Sequence, residues 1–143
     1  MKLTTSLLAL MSSGLLVTVQ MASAQVAVIV NAKSPLASMT TEQVAGIFMG
    51  KNNTLPTGAT AVPADLPDGV GVRDQFYSKA VGKSPPQVKA TWARLTFSGK
   101  ATPPRELGSA AEVKKHVAGN PDAIGYIEKS AVDGTVKVVL VVE

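Results

Sequence analysis

The chain has 143 residues, no cysteine and a formal net charge of +4. Without cysteine it forms no disulfide bond, so its stability must come from a hydrophobic core. The charge excess is small and no basic run is interleaved with aromatic residues, which argues against nucleic-acid binding.

The first 24 residues have the composition of a signal peptide. Lys2 precedes an apolar run, and Ala22 and Ala24 are small residues placed as a signal peptidase requires. We therefore expect cleavage after Ala24, with residues 25–143 forming one exported domain, periplasmic or secreted. An uncleaved membrane anchor is the alternative, but the apolar run is short and broken by serine and glycine. No later segment is long and apolar enough to span a membrane.

The predicted elements begin with "QVAVIVN", a nearly continuous β-branched run that is typical of a buried strand. A helix is predicted over "TTEQVAGIFMGK", where Thr40 and Gln43 match a capping box. "ATAVPAD" predicts a second strand, which Pro63 places at a sheet edge or ends early.

Three helices are predicted next, from their caps and apolar spacing. They are a helix through Phe76 that ends at Gly82, a helix that starts at Ser84, and a helix between Ser109 and Gly119. In the second of these, Trp92 and Phe97 are expected to anchor the core.

"DAIGYIE" and "TVKVVLVVE" predict two final strands, and Asp133-Gly134 between them favours a tight turn. The order is strand, helix, strand, three helices and two strands. This order indicates an α/β fold in which helices cover a small mixed sheet.

The stretch "LPDGVGVRDQF" is a candidate anion site, because a glycine bend that opens a helix presents backbone N–H groups. The hydroxyls that would help such a site are missing from its two valines. Two interpretations stay open: a weak anion contact, or a turn in which Val70 and Val72 pack inward and Asp68 caps the helix. The candidate ligand-binding residues are Asp68, Gly69, Val70, Gly71, Val72 and Arg73.

Four stretches resemble the phosphate substrate-binding proteins of ABC transporters. They are "LASMTTEQVAGIFMGK", "DGVGVRDQF", "KSPPQVKATWARLTFSGKATPP" and "NPDAIGYIEKSAV". The resemblance implies a type II periplasmic-binding-protein-like fold, of which this chain holds a single lobe, since full-length members hold their ligand between two lobes. It also implies a solute-binding role, with phosphate or another small oxyanion as ligand and an ABC permease as partner.

Within the resemblance, Asp68 matches the loop aspartate that accepts a hydrogen bond from a protonated phosphate oxygen. The family's serine and threonine fall on Val70 and Val72, and its upstream arginine falls on Leu66. Two lost hydroxyl contacts remove about 3–6 kcal/mol, whereas a micromolar complex has about 8 kcal/mol in total. We therefore expect no tight phosphate site from this chain alone, with Arg73 as the remaining counter-charge.

Catalysis and a metal or organic cofactor are not expected. The single histidine, His116, has no cysteine or second histidine to share a metal with and no nucleophile at a recognisable spacing. Asp65 and Asp68 are expected to be a solvated surface pair. The alternative function is a degenerate single lobe that binds no solute and acts through protein–protein contacts or self-association.

Overall fold

The computed structural model describes residues 24–143. Apart from its last residue, the predicted signal peptide lies outside the described residues, and its cleavage stays a prediction. In the described part, no helix has both the length and the hydropathy needed to cross a membrane.

The elements of the described chain alternate between strands and helices. In order they are β1 (Val26–Asn31), α1 (Thr41–Phe48), β2 (Val62–Asp65), α2 (Gly71–Phe76) continuing into a π-helical turn (Tyr77–Val81), α3 (Pro85–Phe97), β3 (Arg105–Glu106), α4 (Ala110–Ala118), β4 (Ala123–Glu128), a 3-10 turn (Lys129–Ala131) and β5 (Val136–Val142).

The described strands form one sheet in the order β3-β2-β4-β1-β5. β2 is parallel to β3 and β4, whereas β1 is antiparallel to both β4 and β5. Every residue of β1 is buried, as its continuous apolar run predicts, because β4 and β5 flank it and helices α2 and α4 pack against it. The predicted mixed α/β fold is confirmed.

β2 corrects one expectation from the sequence. It is short, but it is not an edge strand, since the two residues of β3 pair with Ala64 and Asp65. Pro63 pairs with Ile124 of β4 and has no partner in β3. Its missing N–H therefore costs no hydrogen bond to β3. β3 went unpredicted because two residues carry no periodic signal.

The predicted helix caps are present. Thr40 and Gln43 exchange both hydrogen bonds of a capping box, at 3.1 and 2.9 Å. Ser84 and Gln87 do the same at the start of α3, with proline at its first position. At α4 Ser109 accepts from the Glu112 backbone N–H, but the Glu112 carboxylate accepts from Gly108 N rather than closing the box.

The core is aromatic at its centre. The rings of Phe76 and Tyr126 stack with centroids 4.0 Å apart, and Phe48 packs edge-on against both. The expectation that Phe97 is a core anchor is wrong, because its side chain is 96% exposed. Phe97 lies five residues after Trp92, which turns it roughly 140° away from the face that packs inward.

Candidate functional site

The candidate loop connects the end of β2 to the start of α2. Leu66 is buried, and the chain then turns through Gly69, whose φ of +85° is a conformation that favours glycine. Val70 N donates to the carbonyl of Pro67 at 3.3 Å, and the helix begins at Gly71. The predicted strand, bend and helix start are confirmed.

The first turn of α2 has no side-chain cap within residues 24–143. Its N-cap residue is Val70, which has no polar side-chain atom, and the interpretation that Asp68 caps the helix is wrong. Apart from their chain neighbours and the backbone of the helix itself, no described atom lies within 4 Å of the position that a Cβ would take on Gly69 or Gly71. Both glycines are exposed, so the chain is open to solvent at these two positions.

The two valines of the loop are partly buried and pack against the hydrophobic core. This part of the inward-packing interpretation of Val70 and Val72 is confirmed. Their side chains thus contribute apolar contacts that hold the helix start against the sheet.

Beneath the loop lies a buried carboxylate that sequence reasoning misplaced. Asp65, expected at a solvated surface, is 5% exposed. Its Oδ2 accepts from the Tyr77 hydroxyl at 2.5 Å, and its Oδ1 accepts from the Tyr126 hydroxyl and from Leu66 N. The available signal was its position as the last residue of a predicted strand that enters the core.

Arg73 completes this cluster and ties the two ends of the loop together. Its Nη1 donates to the carbonyl of Leu66 at 2.7 Å and lies 3.4 Å from Asp65 Oδ2. Its Cζ lies 5.2 Å from the centroid of the Tyr77 ring, within range of a cation–π contact. Burial opposes its charge, but Asp65 first and the tyrosines next outweigh burial and raise the pKa of Arg73, so it remains a cation.

Both tyrosines act as permanent donors to Asp65. Burial first, and then the negative charge of Asp65, raise the pKa of Tyr77 and of Tyr126 well above the ordinary value. The two hydroxyls therefore stay protonated and able to donate over the physiological pH range.

A pocket of 340 Å³, called here the loop pocket, lies beside the loop. Its charged lining residues are Asp65, Asp68, Arg73, Lys89 and Glu106. Three carboxylates thus face two cations, and one of those cations is already paired with Asp65. The net charge of this lining is negative, so the side chains of the pocket do not favour a dianion.

The structure brings some candidate residues together and separates others. Asp68 and Arg73 both line the loop pocket, whereas Gly69, Val70, Gly71 and Val72 do not. In the part of the chain that the structure describes, no group of three acidic or histidine side chains is placed to hold a metal ion.

No family model and no curated protein matches the sequence. Solved structures do match it. A protein from Clostridium perfringens, described as a phosphate ABC transporter substrate-binding protein with bound phosphate, superposes with a TM-score of 0.66 and 27% identity over 81% of this chain and 45% of that one. An ABC-type phosphate transport receptor from Vibrio cholerae superposes with a TM-score of 0.63 and 23% identity, over 81% of this chain and 46% of that one. PstS from Borrelia burgdorferi superposes with a TM-score of 0.58 and 16% identity, over 81% of this chain and 47% of that one.

The chain has the fold of a phosphate substrate-binding protein lobe. The resemblance carried by the four sequence stretches is thereby confirmed for the fold. The chain spans less than half the length of each of these phosphate-binding relatives.

Proposed function

We propose that the chain is an exported, non-enzymatic solute-binding protein that holds a small oxyanion weakly at residues 68–73. The observation that carries the proposal is the start of α2, which has no side-chain cap and has open space at the Cβ positions of Gly69 and Gly71. The helical backbone continues without a break from 71 to 81 behind them. Phosphate is the first candidate, since the C. perfringens protein with this fold was solved with bound phosphate.

The binding is weak because the side chains of the loop contribute little to it. Val70 and Val72 pack toward the core, and Arg73 Nη1 is engaged by Leu66 and Asp65. An exposed helix start supplies about 0.3–1 kcal/mol, and one further charge-assisted contact about 1.5–3 kcal/mol. Together these amount to at most about 4 kcal/mol, which corresponds to a millimolar dissociation constant.

A partner that covers the open face of the loop belongs to the same proposal. The solved proteins with this fold are more than twice as long as the aligned region. We propose that a permease of an ABC transporter or a second copy of the chain supplies the opposing surface, in the periplasm or outside the cell.

The test is calorimetric titration of the purified protein with phosphate and sulfate at low salt, comparing the parent with Gly71→Asp. Residue 71 is the first helical position, so an aspartate there suits the helix dipole while its charge repels an anion. We expect the variant to fold normally and to lose the binding heat. Gly134→Asp adds the same charge at another glycine with open space around it and should bind like the parent. Absence of any heat from the parent at millimolar anion would refute the proposal.

A second candidate function is favoured by one observation, the 96% exposure of Phe97 at the end of α3. Aromatic side chains, phenylalanine among them, are enriched in the buried centres of protein–protein interfaces. In this alternative the chain binds no solute and acts by contact with a protein or with itself. Sedimentation of the parent and of Phe97→Ser over a range of protein concentrations separates the two candidates.

A further inference from the structure

A larger cavity lies next to the loop pocket. It has a volume of 690 Å³ and is called here the basic cavity. Val62 and Arg105, the first residues of β2 and β3, line it, whereas the loop follows the last residue of β2. The strand register places Arg105 beside Ala64, the residue before Asp65. The cavity and the loop pocket share only the walls formed by Trp92 and Pro103.

The charges of the basic cavity all have one sign. Lys51, Lys100 and Arg105 line it, and none of its lining residues is acidic. None of the three forms an ion pair with a described carboxylate, since the ion pairs within residues 24–143 are Arg73–Asp65 and Lys114–Asp133. Three uncompensated cations around one concave surface concentrate positive potential there. The loop pocket, with three carboxylates, has the opposite balance.

The remaining walls combine an apolar surface with polar groups. Trp92 Nε1 already donates to the carbonyl of Phe48 at 3.0 Å, so the indole offers carbon atoms to a ligand. Gly50 lies so close to this indole that a Cβ there would come within 2.9 Å of it, which fixes the ring in place. Asn53 and Thr102 line the same cavity, and their side chains add hydrogen-bond donors.

We propose that the basic cavity binds an organic anion that carries two or more phosphate or carboxylate charges next to a flat apolar group. The cations hold the charges, with Arg105 suited to bidentate contact, and Trp92 packs against the flat group. The volume lies within the range of about 300–1,000 Å³ found for small-molecule sites, well beyond what one phosphate ion needs. This inference does not depend on anion binding at the loop, because the two sites share no charged residue.

The test uses the protein purified after expression of the full sequence. Three probes are compared: ATP without metal, tripolyphosphate and adenosine. Calorimetry at low salt should show that ATP binds best, that tripolyphosphate binds more weakly, and that adenosine gives no signal. We expect the double variant Lys51→Gln, Lys100→Gln to bind ATP about tenfold more weakly. Both side chains are exposed, so the variant should fold as the parent does. Added salt should weaken binding in the parent more than in the variant.

Two control variants decide where the probe sits. Lys89→Gln removes a cation that lines the loop pocket but not the basic cavity, and ATP affinity should not change. Gly71→Asp should likewise leave ATP binding intact, whatever it does to phosphate. The proposal is overturned if the parent shows no ATP binding at millimolar concentration, if the double variant binds as well as the parent, or if Gly71→Asp abolishes ATP binding.

Discussion

The hydroxyl of Tyr77 donates a 2.5 Å hydrogen bond to Oδ2 of Asp65, joining the helical segment after the loop to the end of β2. Tyr126 of β4 donates to the other oxygen of the same carboxylate. A single buried carboxylate therefore links three elements and, with Arg73, fixes the backbone of the candidate loop. The loop is thus held by Asp65 and Arg73, together with the apolar contacts of Val70 and Val72.

We expect Tyr77→Phe and Tyr126→Phe each to lower the free energy of unfolding by about 1–3 kcal/mol, because each leaves a buried oxygen of Asp65 short of a donor. Urea unfolding monitored by tryptophan fluorescence measures this. Ser78→Ala removes an exposed hydroxyl that donates to Gln75 O, and should change stability by less than about 0.5 kcal/mol. Equal effects of the buried and exposed hydroxyls would contradict the structural role of Asp65.

Alkaline pH should destabilise the fold through the same two tyrosines, which are the only ones in the chain. Their folded pKa values are raised above the unfolded value of about 10, so above that pH the unfolded chain releases protons that the folded protein retains. Their stabilising contribution is complete below about pH 10 and decreases above it, by up to about 1.4 kcal/mol per pH unit for each tyrosine.

The measurement is tyrosinate absorbance during alkaline titration, recorded together with circular dichroism. We expect no tyrosinate until the fold is lost, and a titration near the ordinary pKa in urea. Tyr77→Phe should flatten the pH dependence of stability. Tyrosinate formation at an ordinary pKa in the folded protein would contradict the buried hydrogen bonds.

Gly50→Ala should destabilise the protein more than the same substitution at Gly82. Both glycines have nearly the same left-handed backbone, with φ of +72° and +70°. At Gly50 a Cβ would also lie 2.8 Å from Leu95 and 2.9 Å from Trp92, whereas nothing lies within 4 Å at Gly82. The difference between the variants isolates overpacking, about 1–3 kcal/mol, and is measured by chemical denaturation. If both variants lose the same free energy of unfolding, Leu95 and Trp92 must move at little cost to make room for the Cβ at residue 50.

Restoring the hydroxyls that the resemblance places in the loop should strengthen phosphate binding. We expect the double variant Val70→Ser, Val72→Thr to bind phosphate at least about tenfold more tightly, since each new charge-assisted hydrogen bond is worth about 1.5–3 kcal/mol. Some stability is lost because both valines pack on the core. Val81→Thr, a partly buried valine in the same helical segment, is the control. A folded double variant with unchanged affinity would argue against anion contact at this loop.

Phe97→Ser should leave thermal stability unchanged within the error of a typical surface substitution, because the side chain makes no core contact. Differential scanning calorimetry tests this. A clear loss of thermal stability would show that Phe97 packs in solution, for instance against a second copy, and a dilution series would identify that case.

Local features of this fold were predictable because their causes are local. The capping boxes at Thr40 and Ser84 each involve residues three apart in the sequence. The unbroken apolar run of β1 predicts that this strand is buried. The glycine bend before α2 was predictable in the same way, since Gly69 supplies a backbone conformation that other residues avoid.

The role of each side chain around the loop was decided only by the tertiary structure. Asp65 is 12 residues from Tyr77 and 61 from Tyr126, so the partners of this carboxylate could not be identified from its own stretch of sequence. Likewise the cations of the basic cavity come from two distant places in the sequence, Lys51 after α1 and the pair Lys100 and Arg105 after α3. Periodicity and caps depend on neighbours along the chain and specify the elements, whereas charge pairing and burial depend on which elements the sheet brings together.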